Sequence, residues 1–478
     1  MSAPGRWRRA AAATVLVVAI AGCSGPHRTT LDPGPSAGSA RATPDRSQGP
    51  GPTLAATGVV DRTTNGRVTV AWADGTAVPV HDLDADDIGT RLPAGDAAKG
   101  GVTRPVFGQC TGLPNLVTLR DDGSWFSAMY PGATCVQDAP VPNTRPGRVG
   151  VLAGDRFAPW ESTATTVDDP VARTVVSAVV DGATTAWVED FATDDVSDWW
   201  RIFTAGPDGR PRLVARAEEL PGSEQGWLPH VAVLDGRVYW EALRPVDATF
   251  VADHPDVGVY TDSGQAYAIV SRALDGTGPI RTEAWGATDP VVVDGHIAVL
   301  TWSMRDVNTS GVPDQPLYET RLRATGVALL GEREPTPVFT LTAGPEPVNM
   351  LQYPLALHGA GTSLAFSAGP VTYVADLSTR DAHGYLHLAA IKEPSAQRGA
   401  QLVNDVGVSD DLLAWSYGGT NDPNTNPVFI LDRATGQLAR IDLPTNHGRA
   451  HVAGHYVAWE TETTDGLVQT TTVRWPPK

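Results

Sequence analysis

An all-β fold, a ring of about seven four-stranded blades with six to eight allowed, is predicted by three features of the 478-residue sequence. One phrase recurs from residue 165 onward: an alternating or apolar run, an Asp or Gly turn, then a second run closing on an aromatic residue. Its closing aromatics are spaced roughly 53, 62, 64, 49 and 44 residues apart, the period of a propeller blade. Helical periodicity is nearly absent, which disfavours an α/β fold. With 49 Gly and 39 Pro the chain is rich in turn formers, yet 41% of it is hydrophobic, enough for a packed core.

Residues 1–22 read as a lipoprotein signal peptide. Arg6, Arg8 and Arg9 form a cationic start without an acid, and Ala10 to Ile20 is an apolar run too short to span a bilayer. The run ends in Ile20-Ala21-Gly22-Cys23, which resembles the bacterial lipobox, where cleavage precedes the Cys and its thiol is acylated. Cleavage would leave about 33 bases against 54 acids. Anionic headgroups repel such a chain, so the lipid on Cys23 must do the anchoring. The expected location is the outer face of the bacterial cell membrane.

Residues 23–58 turn to Gly, Pro, Ser, Thr and Ala, cannot bury a core, and read as a flexible linker. Gly34-Pro35-Ser36-Ala37-Gly38 matches a nucleophile elbow only in letters, for no strand precedes it and no helix follows.

Residues 59–164 are expected to form one or two β-rich blades or a cap. Gly66 to Trp72 with Ala77 to Val80 reads as one hairpin, and Asn115 to Leu119 with Trp125 to Tyr130 as another. Cys23 being taken by lipid, Cys110 and Cys135 remain, and an oxidising compartment favours their disulfide.

Residues 165–478 carry the repeats. They include Val175 to Trp187, Val231 to Trp240, Val291 to Trp302, Leu355 to Phe366, Val406 to Trp415 and His451 to Trp459. In the third, Val299 aligns with the other closing aromatics better than Trp302 does. Val408-Ser409-Asp410-Asp411-Leu412-Leu413-Ala414-Trp415, followed by Val428 to Gly436, resembles the TolB-like β-propeller repeat. Asp410 follows Ser409 without the Pro of that repeat, and several units lack its Thr-Gly turn. What the resemblance implies is a scaffold that mostly serves binding and sometimes catalysis.

Polar residues precede the turns at a fixed distance. His230, Asp289 and Asp405 each lie five positions before a turn Asp, and His451 opens the last unit. On inner strands these four would ring one mouth of the central channel, where they suit a metal or a polarised substrate; solvated strand ends are the bland alternative. Asp306 to Asp314 resembles a calcium loop, with Asp306, Asn308, Ser310 and Asp314 as oxygen ligands and Gly311 at the bend; the alternative is a polar hairpin loop. Calcium is the one cofactor the sequence nominates. Asp190, Asp194, Asp195 and Asp198 flank the pair Trp199-Trp200, which suits a sugar or cationic peptide if exposed and a core Trp if not.

The net charge of −18 argues against nucleic acid. No nucleophile–base or Cys–His motif nominates a catalytic residue. The expectation is therefore a membrane-anchored extracytoplasmic binding or scaffold module for protein, peptide or glycan. The alternative is an extracytoplasmic hydrolase or lyase acting through the channel-mouth His and Asp. Cys23→Ala should release the chain from membranes while leaving it folded, measured by fractionation; continued membrane association counts against the lipobox.

Overall fold

The computed structural model describes residues 68–83, 90–92, 102–105, 114–129, 148–163, 174–190, 199–221, 228–255, 257, 259–260, 264–308, 318–331, 334–343, 357–387, 402–418, 427–442, 449–462 and 467–475. They form seven sheets, the blades of a β-propeller, antiparallel except for one parallel outer strand in each of two. Blade 1 begins at Pro114–Leu119, and the innermost strands of blades 2 to 7 are Thr174–Asp181, Val231–Leu234, Ala287–Val293, Leu357–Ala360, Leu402–Val408 and Ala450–Ala453. Each innermost strand touches the next, and Ala450–Ala453 touches Pro114–Leu119, so the ring closes.

Local chemistry makes the blades. Asp235 and Gly236 have φ of 49° and 73°, and Asp294 and Gly295 have 50° and 72°. Both pairs are two-residue turns between strands, joining Leu234 to Arg237 and Val293 to His296. Two successive positive φ values give the turn whose twist matches a hairpin, and Asp-Gly tolerates them best.

The core lies between blades. Seven apolar clusters are found among the described residues, one for each pair of neighbouring blades. Trp187, Trp240 and Trp415, closing aromatics of three repeats, are fully buried in them. Replacing one by Ala would cost about 3–5 kcal/mol. In blade 4 Val299 is fully buried and Trp302 only partly, beyond a register shift after Thr301, which explains the looser spacing there.

The N-terminal stretch does not form a separate cap. Val68–Trp72 pairs antiparallel with Thr336–Ala343 at the outer edge of blade 4. Val80–Leu83 and Thr90–Leu92 then pair parallel with the outer strands of blades 5 and 6. Val102–Pro105 becomes the fourth strand of blade 7, and blade 1 follows it. The segment is a belt over four consecutive blade edges, each of which would otherwise expose unpaired backbone groups.

The hairpin expected between Trp72 and Val80 is present but short. The Trp72 N–H donates to Thr76 O at 2.8 Å and the Val78 N–H to Val70 O at 3.1 Å, flanking the antiparallel bridge of Ala71 with Ala77, and the pairing stops there. Pro79 has no N–H for a ladder, and its carbonyl instead accepts from Gly384 of blade 5 at 2.8 Å. The second hairpin is present, as strands Pro114–Leu119 and Trp125–Met129 of blade 1. Cys23, Cys110 and Cys135 lie outside the described residues.

The described residues contain one α-helix, Ala248–Asp253 in blade 3, capped by Asp247 Oδ1 accepting from the Phe250 N–H at 2.8 Å. No helix among them is long and apolar enough to cross a membrane.

Near the axis the blades approach within backbone contact. A Cβ at Gly359, on the inner strand of blade 5, would lie 2.2 Å from Val292 O of blade 4. Gly359→Ala should therefore destabilise the ring by about 1–3 kcal/mol in denaturant melts. Gly206→Ala, whose nearest atom would be 3.6 Å away, should be tolerated; equal effects would mean that close approach is not the constraint.

Candidate functional site

Two of the four residues picked out by spacing meet. His230, immediately before the inner strand of blade 3, places Nδ1 3.2 Å from Oδ1 of Asp289, on the inner strand of blade 4. The sequence reading missed the third member, Glu241, on the second strand of blade 3 (Arg237–Pro245). His230 Nδ1 lies 2.8 Å from Glu241 Oε1. The three residues can present one ligand atom each, all within 4.8 Å of one another.

Backbone groups fix the carboxylates. The His230 N–H donates to Glu241 Oε1 at 2.9 Å, and the Asp289 N–H donates to Oε2 at 2.7 Å. Glu241 thereby ties the inner strands of two blades together. Its side chain is fully buried, whereas His230 is 31% exposed and opens the cluster to solvent. Asp289 Oδ2 accepts from the Thr288 hydroxyl at 2.7 Å, and Thr288 Oγ1 accepts from Trp302 Nε1 at 2.8 Å. Asp289 has φ of 52°, an unusual value for a non-glycine residue, at a register shift between Thr288 and Val291. Pro290 lies inside that shift and has no N–H to restore the ladder. Burial, with the Glu241 carboxylate beside it, pushes the Asp289 carboxyl up to about 6, against the opposing pull of His230 and Thr288.

Asp405 and His451 belong to a second group, on blades 6 and 7. Asp405 is buried, and its Oδ1 accepts from the Val406 N–H at 2.9 Å. Burial pushes its carboxyl up to about 6, opposed by the charges of His451 and Arg449. His451 Nε2 lies 3.8 Å from Glu460 Oε1, and its ring meets Trp125 of blade 1 edge-on at 5.2 Å.

Between the two groups lies His358, on the inner strand of blade 5, 3% exposed. Burial pushes its imidazole down to about 3, helped by the charges of His230 and then His451. It therefore stays neutral through the physiological range, and it couples electrostatically to both groups.

The other nominated residues fall elsewhere. Asp306 and Asn308 occupy strand positions paired with Thr320 and Tyr318, at the end of His296–Asn308; Ser310 and Asp314 lie outside the described residues. Trp200 is 1% exposed and belongs to the core between blades 2 and 3, which takes it out of a surface site. Asp194, Asp195 and Asp198 lie outside the described residues.

The missed residues left weak signals. Glu241 and Glu460 each directly follow a closing Trp, Trp240 and Trp459. A charge immediately after a core aromatic in two repeats was legible. His358 lies in Leu355 to Ala360 before a Gly361-Thr362 turn, so counting back from an Asp could not reach it.

No family model matches the sequence, and no curated protein matches it. Solved structures do show likeness. A puromycin-hydrolyzing peptidase of Mycobacterium tuberculosis is 16% identical, with a TM-score of 0.40 over 83% of this chain and 55% of that one. A puromycin hydrolase S511A mutant complexed with PGG is 16% identical, with a TM-score of 0.43 over 80% of this chain and 55% of that one. A chain of the mitotic checkpoint complex is 10% identical, with a TM-score of 0.39 over 81% of this chain and 97% of that one. The chain thus spans about 55% of the length of the peptidase structures. Identities this low leave activity with those proteins.

Asp405 and His358 oppose each other in pH. Asp405, raised when folded, adds stability below its unfolded value of 3.8 that is lost as pH rises through about 6. His358, lowered when folded, adds stability above 6.5 that is lost as pH falls toward about 3. Asp405→Asn should accordingly raise stability at pH 7.5, by up to about 3 kcal/mol, and lose that gain near pH 4. Thermal melts across that window check it; a gain independent of pH would mean that Asp405 is not ionised while buried.

Proposed function

We propose that this chain is a lipid-anchored, extracytoplasmic propeller that binds a protein, peptide or glycan at the mouth formed by blades 3 to 7. One observation carries the reading: His230, Glu241 and Asp289 converge from two blades of a closed ring, with His230 partly open to solvent. A closed ring holds such groups still, so little ordering cost falls on binding. The anchor at Cys23 and the likeness to TolB-type propellers belong to the same proposal and rest on the sequence motifs.

A hydrolase is the second reading, favoured by Asp289. A carboxyl pushed up to about 6 beside a second carboxylate is suited to exchanging protons near neutral pH.

Affinity capture from the native envelope, with wild type beside the His230→Ala, Asp289→Asn double variant, tests the binding reading. The expected result is a partner captured by wild type and lost by a variant that still folds. A partner retained undiminished by the variant overturns it. A variant that traps a partner which the wild type converts favours the hydrolase.

A further inference from the structure

We propose that His230 Nδ1, Glu241 Oε1 and Asp289 Oδ1 hold a divalent transition-metal ion, with zinc as the best fit. The inference deepens the binding reading, since it concerns the same mouth. One imidazole nitrogen and two carboxylate oxygens make a mixed donor set of the kind zinc takes in sites that keep a position open. Calcium, which collects six to eight oxygens, is poorly served by a nitrogen and two carboxylates.

One donor pair already has the spacing an ion needs and the other is tight. Donors bound at about 2.0–2.2 Å around a tetrahedral centre stand roughly 3.3 Å from each other. Here the imidazole nitrogen stands 3.2 Å from the Asp289 oxygen and 2.8 Å from the Glu241 oxygen, a hydrogen-bond distance, so binding would exchange that bond for the ion and part the pair by about half an ångström. The supporting contacts are those a metal site needs. Glu241 is held through both oxygens by backbone N–H groups, and Asp289 is held through Oδ2 by Thr288, which Trp302 orients in turn. Asp289 Oδ1 is thereby turned to His230.

The convergence itself carries the inference: His230, Glu241 and Asp289 come from two blades and bring one ligand atom each within 4.8 Å of the others. A bound ion would also change what the mouth recognises. Two carboxylates alone prefer a cationic partner, whereas a metal with three protein ligands offers its open position to a carboxylate or another donor on the ligand.

The test is calorimetric titration of the full chain, in detergent and stripped with chelator, using zinc chloride alone as probe. One ion per chain is expected. Affinity should fall more than about 100-fold in His230→Ala and Asp289→Asn, and about 10-fold to 100-fold in Thr288→Val. His296→Ala, altering an exposed histidine outside the cluster, should leave it unchanged. Cobalt loaded into wild type gives a readout that needs no variant: intense visible absorption of a four-coordinate ion. No saturable zinc binding, a pale octahedral cobalt spectrum, or full affinity in the folded His230→Ala protein overturns the proposal. Zinc bound as expected while partner capture ignores the same variants overturns the binding reading and leaves the metal site standing.

Discussion

A blade of four strands has two apolar faces and cannot bury either alone. Everything else in this molecule follows from that constraint. Because each blade needs a neighbour on both sides, the only arrangement that leaves no apolar face in water is a closed circuit. The seven inter-blade clusters are that circuit. Strands such as Ser363–Ala368 are buried at every position, not at alternate ones, because they are packed from both sides. The circuit also explains why inner strands approach so closely that Gly359 has room for no side chain.

The same geometry accounts for the site. Inner strands of neighbouring blades lie side by side, so a polar residue where each begins meets its counterpart on the next blade. His230 and Asp289 meet in this way, and Glu241 reaches both backbones from the adjoining strand. Burial then differentiates the members. His230 keeps access to water, whereas Asp289, Asp405 and His358 are enclosed and pushed away from their usual titration ranges. Glu189, on the second strand of blade 2, is engaged otherwise: it accepts from Trp187 Nε1 and the Thr163 hydroxyl.

What was legible in the sequence was local. Asp235-Gly236 and Asp294-Gly295 announce tight turns because their backbone conformation depends on those residues themselves. His230 and Asp289 could be paired because repetition converts spacing into position. Pairing between distant strands left no such mark. Ala77 to Val80 reads as the return arm of a hairpin, and nothing there says that Val80–Leu83 pairs with Asp381–His387. Glu241 and Glu460 were hidden by the habit of reading a charged residue in a strand as its wet face, whereas both are buried. His358 was hidden because blade 5 turns through Gly361-Thr362 and offers no Asp to count from.

The belt has a consequence for how the chain acquires its structure. Thr69 finds its partner Thr342 273 positions later, and Trp125 is joined to Thr472 across 347. The first strands to leave the ribosome are thus among the last to find a place. No blade from 4 to 7 has its outer edge covered until its own later sequence exists, and blade 7 lacks its fourth strand without Val102–Pro105. Contacts of such long range make folding slow and leave early intermediates with exposed edges. A chain built this way stays threadable until synthesis is complete, and then locks where Val102–Pro105 meets Leu467–Arg474 in blade 7.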